Sequence, residues 1–194
     1  MRTTSELRDT ILAAARSEFA QYGMAGARID RIAREAEASK ERLYAHFGDK
    51  ESLFRSVVAA DSADFFAAVT LRADAIPEFV GDIYDLACSR PEHLRMITWA
   101  NLEGLTLELP PIEGGESVPA RDIRTIETAQ AAGYVDKSWQ PMDLLILLFG
   151  VGLAWARSPH PDAVAVDPRS IAARRAAAVE AARRIVTPAV CASE

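Results

Sequence analysis

Apolar residues recur along the chain at spacings of three and four almost from its start. Leu7, Ile11, Ala15, Phe19 and Tyr22 fall on one side of a helix, with Ser5 placed to cap its beginning and Gly23 to end it. After the break "GMAGA", Ile29, Ile32, Ala33 and Ala36 mark a short second helix. Ser39 can then cap a third, which ends near Phe47 before Gly48-Asp49. Leu53, Phe54, Val57, Val58, Phe65 and Val69 carry a longer helix from Lys50 to about Arg72, and the same periodicity predicts helices at about 77–89, 91–107, 120–132, 141–157 and 168–186. Loops rich in proline and glycine separate them at 107–119 and 158–168. No segment reads as a strand, so the expected fold class is all-α.

The third helix carries the first chemistry. With about 100° of rotation per residue and Lys40 at zero, Leu43 falls near 300° and Phe47 near 340°, which sets the core side. Glu41, Arg42 and Ala45 then point away from the core, while Lys40 and Tyr44 lie on one flank and His46 on the other. A major groove admits one helix, whose outermost side chains reach base edges while its flanks meet the phosphate walls. On that geometry Lys40, Tyr44 and His46 are phosphate donors. Arg42 is a base-reading candidate, and Glu41 repels phosphate unless it accepts from a cytosine amino group or pairs with a neighbouring cation such as Arg42. Taken by themselves, Tyr44, His46 and Phe47 also fit a core aromatic cluster.

Charge sharpens the picture. The 194-residue chain has a net charge of −6, yet residues 1–55 hold ten Lys/Arg against nine Asp/Glu, and the remainder twelve against nineteen. The head can meet phosphate; the body is repelled by it. The longest apolar run, Leu144 to Ala156, is too short for the roughly 20 residues of a membrane span. The N-terminus lacks a signal-peptide core, and Cys88 and Cys191 have no metal-ligand spacing, so a reducing cytoplasm and two inert thiols are expected. No nucleophile elbow, metal-binding or phosphate-loop motif occurs, and His93 and His160 lack acidic neighbours in sequence. Neither an enzyme nor a cofactor or metal site is expected.

The stretch "ILAAARSEFAQYGMAGARIDRIAREAEASKERLYAHFGDKESLF" resembles the DNA-binding domain of TetR-type transcriptional regulators, in the spacing of Ser39-Lys40, Leu43-Tyr44, His46-Phe47 and Lys50-Glu51. The resemblance implies a helix-turn-helix with 29–36 and 39–47 as its two helices, and phosphate contacts from Tyr44, His46 and Lys50. Two positions depart from the family pattern. Glu37 stands where glycine is usual in the turn, at a cost of about 1 kcal/mol if it takes a left-handed conformation, so a turn built differently is the other possibility. Ala27 and Arg28 replace the hydroxyl residue that usually enters the second helix, and Arg28 can supply the lost phosphate contact.

"IETAQAAGYVDKSWQPMDLLILLFGVGLAWAR" likewise resembles the TetR-type C-terminal domain, with Gly133 ending one helix and Pro141 starting the next. The helix over 141–157 is apolar on nearly every face, and Gly150, Gly152 and Ala154 would admit a second backbone. The last helix offers Ile171, Ala178, Ala182 and Ile185 as an apolar stripe between arginines. A homodimer through these two helices is expected, since paired recognition helices read a pseudo-palindrome at a spacing of roughly 34 Å; a purely intramolecular role for the apolar helix is the alternative.

Met96, Trp99 and Glu103 share one helical face and, with Phe149 and Trp155, are candidates for a pocket holding a small, mostly apolar effector. The competing account makes Trp99 a core residue and sends Glu103 to solvent. The expected organisation is a DNA-binding domain at 1–50 followed by an effector-binding and dimerisation domain at 51–194. The expected function is a ligand-responsive regulator, a repressor in the family's commoner mode. A helical protein-binding adaptor that keeps the same head is the alternative from another class.

Overall fold

The computed structural model describes residues 3–105, 117–163 and 167–188. Most of the 107–119 loop and Cys191 lie outside these residues. The described chain is helical and contains no strand, in agreement with the expected fold class. It forms two compact units, Met1–Phe65 with Arg90–Pro110, and Phe66–Ser89 with Pro111–Glu194.

In the first unit, α1 (Thr4–Gly26) begins at Thr3 rather than at Ser5. The reason is the capping box. Thr3 Oγ1 accepts from the Glu6 N–H at 3.2 Å and Glu6 returns a carboxylate oxygen to the Thr3 N–H at 2.7 Å, whereas Ser5 is followed three residues later by Arg8, which offers no acceptor. Gly23 bends α1 with φ 66° and ψ −179°, a conformation essentially restricted to glycine. Next come α2 (Ile29–Glu35), α3 (Lys40–Phe47) and α4 (Lys50–Ala68), the last shorter than the periodicity suggested. Glu37 adopts φ 51° in the α2–α3 turn, the only described residue other than glycine with positive φ, so the turn keeps its left-handed step without the glycine. Ser39 caps α3 by accepting from the Arg42 N–H at 3.3 Å.

The core of this unit is built on the packing of Phe19 edge-on to Phe54 at 5.0 Å, with Ile11, Ile32, Leu43, Leu53 and Val57 buried around it. α6 (Pro91–Leu102) joins that core through Met96 and Ala100, both fully buried, and packs on α1. Leu53, Phe54, Val57 and Val58 of α4 and Met96 and Ala100 of α6 are thus buried in one core with the helix-turn-helix.

The second unit contains α5 (Ile76–Ser89), α7 (Val118–Ala131), α8 (Pro141–Gly152), α9 (Ala154–Arg157) and α10 (Pro168–Val186). The single helix expected over 141–157 is interrupted at Leu153. α5 lies against both α8 and α10, and α7 and α10 also touch α8. Gly81 lets α10 approach α5, where Arg175 reaches Asp85 at 2.6 Å and Asp82 at 3.3 Å. Trp139 donates from its indole to the Ile185 carbonyl at 3.1 Å and so holds the end of α10.

Two expectations about these helices change. Gly152 faces α5: a Cβ there would stand 2.6 Å from Ile83 Cγ2, so its smallness serves internal packing. Gly150 has no neighbour within 4 Å of the corresponding point. On α10, Ala178 and Ala182 are buried in the unit, whereas Ala172, Ala173, Ala176 and Ala177 are exposed. α8 therefore has an inward side, Leu144, Leu145, Leu148 and Gly152, and an outward side, Met142, Ile146, Leu147 and Gly150.

Candidate nucleic-acid interface

α3 is anchored by Leu43, fully buried, and Phe47, over whose ring the Arg8 guanidinium lies at 5.5 Å. With those two residues inward, Lys40, Glu41, Arg42, Tyr44 and Ala45 are exposed and His46 is half-buried beside Phe47, the ring centroids 6.1 Å apart. Lys40 forms an ion pair with Asp30 of α2, which raises the Lys40 pKa and lowers that of Asp30, first through the hydrogen bond and then through the charges. Glu41 is also held below the usual carboxylate range, by backbone N–H donation at the helix start and by the Ser39 hydroxyl. It therefore presents a full negative charge. Lys50 turns its ammonium to the Ala25 carbonyl at 3.2 Å, in the last turn of α1. Arg28, the N-cap residue of α2, makes no side-chain cap and is exposed.

Glu18, a carboxylate on the buried side of α1, fixes the entry into α2. Glu18, 8% exposed, accepts the Arg28 backbone N–H at 2.7 Å and the Arg31 guanidinium at 2.8 Å from Nε and 2.5 Å from Nη2. Arg31 in turn lies 4.3 Å over the Tyr22 ring. A charged residue one position before Phe19, among otherwise buried positions, was the available signal. Burial works to raise the Glu18 pKa, but the hydrogen bonds from Arg31 and Arg28 and the charges of Arg31 and Lys50 outweigh it and lower the value. The stability this carboxylate contributes is thus fully present above the ordinary glutamate pKa of about 4.3 and is lost as pH falls through the lowered folded value. Glu18→Gln should cost about 1–2 kcal/mol at neutral pH, allowing for the solvent that reaches Arg31. Its melting temperature should also fall less steeply than wild type on acidification below that range. Equal acid slopes for the two proteins would contradict the assignment.

The candidate effector residues are divided between the units. Met96 is fully buried in the first unit, Trp99 packs on Gly23 and donates to the Ala20 carbonyl at 3.4 Å, and Glu103 is the exposed C-cap residue of α6. The face expected to look into a pocket is instead spent on packing against α1. Phe149 and Trp155 belong to the second unit, where Phe149 meets Phe66 at 5.8 Å and Phe79 at 5.5 Å, and Trp155 stands edge-on to Tyr84 at 5.7 Å. Trp155 also lines an open hollow of about 340 Å³ with Ser158, His160 and Asp162. Among the described residues no group of three or more His, Cys, Asp or Glu side chains is placed to hold a metal ion, and no helix is long and apolar enough to cross a membrane.

Residues 11–57 match the family model for bacterial regulatory proteins of the tetR family, and residues 75–184 match the tetracyclin repressor-like C-terminal domain. The chain is 37% identical over 146 residues to the HTH-type transcriptional repressor SCO4008 of Streptomyces coelicolor, covering 75% of this chain and 76% of that protein. It is 36% identical over 138 residues to the HTH-type transcriptional repressor NicS of Pseudomonas putida, covering 65% and 64% of the two. A crystal structure of the putative transcriptional regulator SCO4942 from Streptomyces coelicolor superposes with a TM-score of 0.79 at 38% identity, over 92% of this chain and 97% of that one. The helix-turn-helix at the head and the helical body behind it are thus both matched, and the chain belongs to the TetR family of DNA-binding transcriptional regulators.

Proposed function

We propose that the protein is a cytoplasmic homodimeric repressor that reads a pseudo-palindromic operator with α3 and leaves it when a small, mostly apolar molecule binds the second unit. The observation that carries the DNA reading is the division of α3 itself. Leu43 and Phe47 are buried, while Lys40, Glu41, Arg42, Tyr44 and Ala45 form its exposed surface. Arg28, His46 and Lys50 stand around that surface as phosphate contacts; Lys50 must exchange its bond to the Ala25 carbonyl for a phosphate oxygen. The repressor mode is supported by the names of SCO4008 and NicS.

Homodimerisation is supported by the outward side of α8, where Ile146 is 60% exposed beside Met142 and Leu147, and by the exposed alanines of α10, which touches α8. The effector site we assign to the second unit has Phe149 and Trp155 as aromatic walls. Met96, Trp99 and Glu103 are left out of it because of their places in the first unit.

The DNA reading is tested by comparing the duplex most enriched by the wild-type chain from a randomised pool with a shuffled duplex of the same composition. Tyr44→Ala should weaken binding to both duplexes together. Arg42→Ala should cost about 1–3 kcal/mol on the enriched duplex alone and relax one base position. Anisotropy titrations in which Tyr44→Ala matches wild type on both duplexes would remove Tyr44 from the interface.

A further inference from the structure

α6 lies outside the 11–57 segment matched to the DNA-binding family model, yet it belongs to the same compact unit as the helix-turn-helix. Two of its side chains bind it there in unusual ways. The first is Trp99. A Cβ at Gly23 would stand 2.8 Å from the indole Cε3 and Cζ3, so the ring lies directly on the backbone at the bend of α1, and its N–H reaches back to the Ala20 carbonyl. The second is His93, 5% exposed, whose Nδ1 is 2.6 Å from Asp61 Oδ2 on α4 and whose ring is stacked on Phe65 at 4.4 Å and 10°. The other oxygen of Asp61 is paired with Arg16 of α1 at 2.9 Å. Asp61 itself is 6% exposed.

These contacts fall at informative places. The bend at Gly23 is where the chain leaves the long part of α1 and enters the connection to α2, whose start is held by Glu18. Asp61 lies on the helix that begins directly after α3. One helix therefore grips the segment before the helix-turn-helix and the segment after it. A buried carboxylate shared by a guanidinium and an imidazole is a poor source of net stability, because desolvation offsets the attraction; it does define one arrangement sharply, since any other leaves a charge buried without its partner. The same is true of an indole seated on a backbone that has no side chain to cushion it.

We propose that α6 is a brace that sets the DNA-binding head, with Trp99 and His93 as positioning residues. Trp99 fixes the bend of α1 at Gly23 and His93 fixes α4 through Asp61, so that the setting of α2 and α3 between them depends on a helix outside the motif. The proposal rests on DNA reading by α3 and not on the assignment of an effector site or a dimer interface.

The test uses the full chain with the enriched and shuffled duplexes defined above, at a temperature where far-UV circular dichroism finds every variant folded. Trp99→Leu removes the ring from Gly23, Trp99→Phe keeps an aromatic over it, and Asp61→Asn keeps the shape of the buried carboxylate without its charge. The enriched duplex should be bound about tenfold more weakly by Trp99→Leu and by Asp61→Asn, with Trp99→Phe close to wild type. Hydrogen exchange should quicken across residues 24–47 in the two weakened variants, although neither substituted residue lies in that segment. A purely structural role would lower the melting temperature while leaving the affinity of the folded protein unchanged, or would confine faster exchange to α6 and the residues it touches; either result overturns the proposal. If Trp99→Leu does not fold, Asp61→Asn decides the outcome by itself.

Discussion

Gly152→Leu should collapse the packing of the second unit, at a cost of about 3 kcal/mol, because the added side chain has nowhere to go. Its Cβ would begin 2.6 Å from Ile83 Cγ2 and 3.2 Å from the Val80 carbonyl oxygen, and the backbone oxygen cannot move aside as a flexible side-chain tip could. Gly150→Leu, half a turn earlier on the same helix, enters open space and should leave stability nearly unchanged. Urea denaturation separates the two. A wild-type midpoint for Gly152→Leu combined with a shift to monomer in sedimentation would return Gly152 to a subunit interface.

The complementary substitution is Ile146→Arg. Ile146 is 60% exposed on a helix whose opposite side is filled by Leu144, Leu145 and Leu148, so the change should leave the unit's own core intact. Placing a guanidinium in the centre of the outward apolar side should split the dimer. The operator is then held by one head at a time, and losing the second converts a tethered contact into an independent one, a loss of about 100-fold or more in apparent affinity. Sedimentation should give a monomer and anisotropy the weaker binding. A persistent dimer with unchanged affinity would place the interface away from Met142, Ile146 and Leu147.

What could be read in the sequence depended on distance along the chain. Ser39 as the cap of α3, Phe47 as its last residue and the burial of Leu43 follow from signals within one or two turns, and each has its expected place in the fold. The left-handed step at Glu37 follows from the family pattern, although the residue type argues against it. The cap of α1 at Thr3 rather than Ser5 was a local miss, but the misplaced functional residues all have long-range causes. His93 looked isolated because its carboxylate partner is 32 residues away. Trp99 looked available for a ligand because nothing near it in sequence reveals the bare backbone at Gly23, 76 positions earlier. Gly150 and Gly152 are equivalent as small residues, and only the approach of α5 distinguishes them. Periodicity reports which side of a helix is buried, but it does not name the neighbour that buries it.

The ion pairs of the head bear on how the protein finds its operator. Lys40 is held by Asp30 and Arg31 by Glu18, so two cations of the helix-turn-helix are already paired before DNA arrives. A phosphate that captures one of them must displace a carboxylate as well as solvent, and the gain from released counterions is correspondingly small. Random sequence should therefore give such a head little purchase. Encounters with the wrong DNA should end quickly, with residence time concentrated on the few sites where the base edges repay the exchange.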